Sequence, residues 1–163
     1  MELTVDVAGR KRQLRFVVQR HRASRLHYDF RLEMHGALVS WAVPKGPTLD
    51  PHARRQAIQV EDHDLDYIAF EGVIEKGHYG AGDVIVWDTG TWQPADATDP
   101  DEALAHGELH FDLHGSKLRG RFVMVKTSRG WLLLHKDDEY AVPGWEPEEH
   151  PESVLTGRTN DQV

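Results

Sequence analysis

Hydrophobic and polar positions alternate with period two along much of this chain, and the alternation predicts short strands. In residues 26–33, Leu26, Tyr28, Phe30 and Leu32 fall on one side, and His27, Asp29, Arg31 and Glu33 on the other. A short apolar strand covers residues 14–19, and a third strand, residues 37–43, follows the turn signal His35-Gly36. Pro44-Lys45-Gly46-Pro47 and Asp50-Pro51 interrupt the pattern. It resumes in residues 56–61, with Ile58 and Val60 on one face and Gln59, Glu61 and then His63 on the other. Glycines at 77, 80 and 82 lead into a strand ending near Asp88. Asp99, Pro100 and Glu102 predict the capped start of a short helix that Gly107 stops. Three strand-like runs follow, 108–115, 120–127 and 130–137, with Gly-containing turns between them.

This pattern predicts an all-β protein, an antiparallel barrel or sandwich with one or two short helices. Residues 1–13 read as a short N-terminal arm and residues 14–144 as one domain. Residues 145–163 read as an acidic, polar tail or linker, expected to be mobile. A chain of 163 residues suffices for one domain with a real core. No apolar run approaches a membrane span and no signal peptide opens the chain, so nothing points away from the cytoplasm. The chain has no cysteine, which excludes disulfides, thiolate nucleophiles and Cys-ligated zinc.

The net charge of −8 argues against a polyanionic partner until it is divided. Residues 1–55 carry 11 Lys and Arg against 5 Asp and Glu, and the remainder 8 against 22. The basic part holds the His/Asp/Arg strand, and local potential matters more than net charge for binding a polyanion.

The polar side of residues 26–33 carries an imidazole, two carboxylates and a guanidinium, with His21 just upstream. His21, His27 and Asp29 suit a divalent metal such as Mn²⁺, Zn²⁺ or Fe²⁺, with positions left open for substrate oxygens or water. Arg31 lies two residues beyond Asp29 on the same face, so metal and guanidinium could share one anion. Lys45, Arg54 and Arg55 are further basic candidates, and alternation does not decide which of 54 and 55 faces inward. Glu61, His63 and Tyr67 form a third set, in which the imidazole could protonate a leaving oxygen or bond a phosphate. His110, Asp112 and His114 also alternate, but without a nearby cation they read as a solvated outer face. The glycine loop lacks the Walker Lys-Ser/Thr and precedes a strand, so it reads as a tight turn.

Six segments then carry a family pattern: FVVQRHRASRLHYDFRLE (16–33), WAVPKGPTLDP (41–51), QVEDHDLDY (59–67), FEGVI (70–74), GHYGAGDVIVWDTGTW (77–92) and WLLLHKD (131–137). Together they resemble the 3′-phosphoesterase domain of bacterial DNA ligase D, the end-healing module of bacterial non-homologous end joining, over roughly residues 14–140. The resemblance implies a compact antiparallel β-barrel with a crescent-shaped groove and a Mn²⁺-dependent activity in two steps. A phosphodiesterase step removes a 3′-terminal ribonucleoside from a primer strand, and a phosphomonoesterase step removes the remaining 3′-phosphate. By motif position it implies His21, His27 and Asp29 as metal ligands. Arg31, His63 and Tyr67 would contact the scissile phosphate, and Lys45, Arg55 and Glu61 would complete or support the pocket. His63 is then the candidate general acid, with Tyr67 as alternative, and either water or a 2′-hydroxyl could attack. DNA 3′ ends are the implied partner, with ligase, polymerase and Ku of end joining around them. Longer family members carry a polar N-terminal arm where residues 1–13 stand here, and the chain's ending resembles a linker to a further domain.

Two other readings compete. One is a non-catalytic DNA-end-binding module. The other takes His27 and Asp29 as part of a non-haem iron triad, which the close spacing of His21 and His27 and the surrounding cations fit less well than a phosphate site.

Overall fold

The computed structural model describes residues 2–163. Eleven strands and one short helix follow one another along the chain. A hairpin of β1 (Thr4–Val7) and β2 (Arg10–Gln13) comes first, joined through Ala8 and Gly9, both at positive φ. Residues 1–13 read as an arm because β1 alternates Val5 and Val7 over only four residues and β2 carries no apolar residue. Then come β3 (Arg15–Arg22), β4 (Leu26–Met34), β5 (Ala37–Val43), β6 (Arg55–Asp64), β7 (Gly72–Ile74) and β8 (Gly82–Pro94). Helix α1 (Pro100–Ala105) precedes β9 (Glu108–Gly115), β10 (Arg119–Thr127) and β11 (Gly130–His135). As expected, Asp99 caps α1, its carboxylate accepting from the Asp101 amide at 3.1 Å.

Every pairing is antiparallel, in the order β3-β4-β5-β6-β11-β10-β9-β8-β7, and β3 also pairs with β8. That last pairing closes eight strands into a ring, with β7 attached outside it along β8. The long β8 makes closure possible: residues 83–91 pair with β3 and residues 90–94 with β9. The ring encloses Phe16, Phe30, Trp41, Trp92, Phe111 and Phe122, all fully buried. Burial of several hundred Å² of aromatic surface at about 25 cal/mol per Å² is the main force holding the ring together. Among the described residues no helix is long and apolar enough to cross a membrane.

Of the two rows on β4, Tyr28, Phe30 and Leu32 point into this core. The charged row points outward, yet it is not wet. A second, smaller apolar cluster of Val17, Leu38 and Val86 lies on the outer face, under Leu65, Tyr67 and Ile68 from the turn after β6.

Residues 145–163 differ from the mobile tail the composition predicts. Trp145 packs edge-on against Trp87 and stacks with His150, whose carbonyl accepts from the Trp87 indole at 2.6 Å. Arg20 binds Glu148 at 2.6 Å, and the Tyr28 hydroxyl donates to the same carboxylate. Asn160 is only 2% exposed. Its amide donates to the Arg20 and Asp83 carbonyls, and its oxygen accepts from Arg20 at 2.7 Å. The acidic residues are therefore partners of β3 cations over a sequence separation that local composition does not register.

Asn160→Ala should remove all of these bonds and leave buried partners unpaired, lowering stability by about 2 kcal/mol. Urea unfolding checks this, and an unchanged midpoint would mean that the tail is detached in solution.

Candidate active site

The site lies on the outer face of β3, β4, β5 and β6. Antiparallel register sets Gln19 opposite Asp29 and His21 opposite His27, while Arg31 faces Ser40 on the other side. Partners directly opposite share a face, so Gln19, His21, His27, Asp29, Arg31 and Ser40 form one polar field. Asp29 is 7% and Arg31 3% exposed. The cover is the segment after β6: the Gln19 amide donates to the Tyr67 carbonyl at 3.0 Å, and the Tyr67 and Phe70 rings stack at 4.9 Å.

Asp29 is the centre of the field. Its Oδ2 lies 3.3 Å from His21 Nδ1, its Oδ1 3.1 Å from His27 Nε2, and Arg31 Nη2 is 3.5 Å away. Burial works against its charge, but the hydrogen bonds from His21 and His27 and the positive Arg31 hold the carboxyl well below the usual carboxylate range. The opposite ring nitrogens of both histidines meet backbone carbonyls: His21 Nε2 donates to Gly80 at 2.7 Å and His27 Nδ1 to Arg25 at 3.2 Å. A neutral imidazole whose proton is committed in this way presents a lone pair on its other nitrogen. With both rings neutral, two lone pairs would face the Asp29 oxygens, an arrangement that repels unless a proton or a cation lies between. The hydrogen bond to Asp29 accordingly raises the His27 pKa despite burial. The potential ligand atoms of His21, His27 and Asp29 lie within 4.8 Å of one another, the one such group among the described residues. Carbonyl-oriented imidazoles with a carboxylate fit a borderline divalent cation.

Arg31 joins this centre to an anion site. Its Nε donates to Gln19 at 2.8 Å, and its Nη1 donates to Ser40 Oγ at 2.9 Å and to His63 Nδ1 at 3.0 Å. A guanidinium only donates and so asks His63 Nδ1 to accept, whereas the Glu61 carbonyl, 3.1 Å from the same nitrogen, only accepts and asks it to donate. Burial, and then the Arg31 charge, push the His63 pKa down, so the neutral form is favoured. Burial pushes the Tyr67 phenol up, and Tyr67 lies 5.3 Å from His63, ring to ring, with the Arg31 guanidinium 5.3 Å from its ring centre. One pocket of about 340 Å³ is lined by His21, His27, Asp29, Arg31, His63 and Tyr67.

Strict alternation put Glu61 and His63 on one face, and the structure separates them. Leu38 faces His63 while Ser40 faces Val60, so β6 holds one residue more than β5 across this step. This bulge turns His63 to the outer face beside Val60 and leaves Glu61 exposed, lining a neighbouring groove with Gln59 and Tyr79. Lys45 and Arg55 do not line the pocket either. They flank a separate depression with Glu146 and Glu148, and Arg55 Nη2 lies 3.5 Å from Glu146. Gln19 and Ser40, which orient Arg31, escaped the sequence reading. Their signal is that Ser40 is the single polar side chain of β5 and that Gln19 shares a face of β3 with His21.

Fold and site together define a closed antiparallel β ring with a candidate metal-and-anion centre on its outer face. The family model described as the DNA ligase D 3′-phosphoesterase domain matches residues 19–126, and the chain belongs to this family. It is 53% identical over 96% of its length to the multifunctional non-homologous end joining protein LigD of Pseudomonas aeruginosa. It is 43% identical over 77% of its length to LigD of Mycolicibacterium smegmatis, and 46% over 74% to the corresponding DNA repair protein of Mycobacterium tuberculosis. The chain aligns with 20%, 17% and 16% of those relatives respectively.

In the metal-free protein, NMR should show His63 titrating below the ordinary imidazole range. Because the folded pKa is depressed, acidification through this range destabilises the fold, and Arg31→Met should move the titration back up. A His63 titration unmoved by that change would sink the assigned pairing.

Proposed function

We propose that the protein heals DNA 3′ ends as a metal-dependent phosphoesterase. It removes a 3′-terminal ribonucleoside as a diesterase and then the exposed 3′-phosphate as a monoesterase, leaving a 3′-hydroxyl for repair synthesis and ligation. The observation that carries this reading is the convergence of His21, His27 and Asp29 with Arg31, His63 and Tyr67 on one pocket. The relatives' printed names place them in non-homologous end joining, which supports end processing as the context; ligase, polymerase and Ku would be the partners there.

His21, His27 and Asp29 would hold the cation, Mn²⁺ by preference and Zn²⁺ as the alternative. When bound, the cation supplies Lewis-acid polarisation of a phosphoryl oxygen. Arg31 is already fixed by Gln19 and Ser40, so it can bind a non-bridging oxygen without reorganising as charge grows. His63, favoured in its neutral form, would hydrogen-bond the same group. On this reading the acid role falls to Tyr67, the alternative to His63. Its phenol keeps its proton at neutral pH and remains more acidic than a departing sugar alcohol, so transfer to that oxygen runs downhill.

A 5′-labelled primer–template ending in one 3′ ribonucleotide should be shortened to 3′-phosphate and 3′-hydroxyl products with Mn²⁺ and not without it. His27→Ala should abolish turnover, and Arg31→Ala should slow it by about 10²–10³-fold. Mn²⁺ affinity should weaken on acidification, because the proton on the His27 side must leave first. A primer that is bound but unchanged with every divalent cation would overturn the enzymatic reading in favour of an end-binding module.

A further inference from the structure

The glycine loop before β8 takes no part in the chemistry above, yet it forms a wall of the site. Tyr79 at its tip lines the pocket with His21, Asp29 and His63, and also the adjoining groove with Gln59, Val60 and Glu61. Its side chain is 91% exposed. A ring so exposed contributes almost nothing to the fold, because little of its apolar surface leaves water.

The backbone beneath that ring is nonetheless fixed. The Gly80 carbonyl accepts from the candidate metal ligand His21 at 2.7 Å, and turn hydrogen bonds join Ala81 to His78 at 3.1 Å and His78 to Glu75 at 3.3 Å. Gly82, at φ +136°, sits so close to β3 that a Cβ would lie 2.0 Å from the Arg22 carbonyl. The loop is thus tied to β3 and to the metal site, and it carries a bare aromatic ring at the pocket mouth. The adjoining groove offers an amide, an apolar side chain and a carboxylate, and no cation. A phosphate finds no partner there. An aromatic face does suit a nucleobase, since every base has a π-face.

We propose that Tyr79 is a positioning residue that stacks on a nucleobase flanking the scissile phosphate. This rests on the phosphoesterase reading of the pocket and adds what holds the strand in it. The stacked base belongs either to the departing terminal nucleoside or to the nucleotide before it, and both present the same planar face. Stacking does not depend on base identity, so the contact is tolerant of sequence.

The test compares wild type, Tyr79→Phe and Tyr79→Ala on the ribonucleotide-ended primer–template, with KM and kcat from turnover and Kd from fluorescence anisotropy of the same DNA. Tyr79→Ala should raise KM and Kd by about 5- to 150-fold, the usual strength of one base–aromatic contact. Its kcat and Mn²⁺ affinity should stay within about twofold of wild type, since the contact is lost equally from the ground and transition states. Tyr79→Phe should retain wild-type values, because the ring and not the hydroxyl carries the contact. Abasic substitution at each flanking position in turn identifies the stacked base as the one whose removal makes wild type and Tyr79→Ala equal. Unchanged KM and Kd in Tyr79→Ala, equal losses in the Phe and Ala variants, or a difference that survives both abasic substitutions would each overturn the proposal. If wild type binds the DNA without turnover, the enzymatic reading falls, and the Kd series still decides the stacking contact.

Discussion

A buried carboxylate with three cationic or potentially cationic neighbours is the constraint around which this protein is arranged. Asp29 is charged and nearly sealed from water, which is sustainable only if its partners are present together and its surroundings are dry enough to strengthen them. His21 comes from β3, and His27 and Arg31 from the same strand as Asp29, so the pairing register of β3 with β4 is fixed to the residue. A one-residue slip would drive the charged row into the aromatic core and expose Tyr28, Phe30 and Leu32. The site and the core therefore specify the same register from opposite faces of one strand.

Placing such a site outside the ring creates a second requirement, a cover. The segment between β6 and β8 supplies it: Leu65, Tyr67 and Ile68 close over Val17, Leu38 and Val86, and Gln19 ties the Tyr67 carbonyl down. The same segment returns to give the Gly80 carbonyl to His21. One excursion of the chain thus buries the polar field, orients a candidate ligand and bounds the pocket. The β6 bulge belongs to this arrangement, because without it His63 would share the face of Glu61 and Arg31 would lose its imidazole partner.

The sequence made the ring strands and the capped helix legible because each carries its own period-two or capping signal. It made the metal-ligand candidates legible because they sit on two adjacent strands joined by a short turn. Alternation could separate the two rows of β4 but could not show that both are buried, since the cover arrives from residues 65–81. It could not foresee the extra residue that reorients His63. Composition misled for residues 145–163, where acidic side chains read as solvated are held by Arg20 and Arg22 across 128 and 139 positions of sequence. Lys45 and Arg55 entered as basic candidates to which the family resemblance gave a pocket role, and their surroundings are the carboxylates of that same segment.

Those pairings also change what the charge asymmetry of the chain means. Much of the basic surplus in the first third is spoken for within the fold. Arg12 is held by Glu33 at 2.8 Å, Arg20 by Glu148, and Arg22 by Asp83 at 2.7 Å and Asp161 at 2.5 Å. A broad positive field of the kind that steers a polyanion from a distance is correspondingly reduced. What remains at the pocket is a single preorganised guanidinium beside a cluster of metal-ligand type, opposite a bare aromatic ring. On the proposed reading, such an arrangement would discriminate by fit to a strand end, a phosphate next to a base, more than by the total charge of the nucleic acid that carries it.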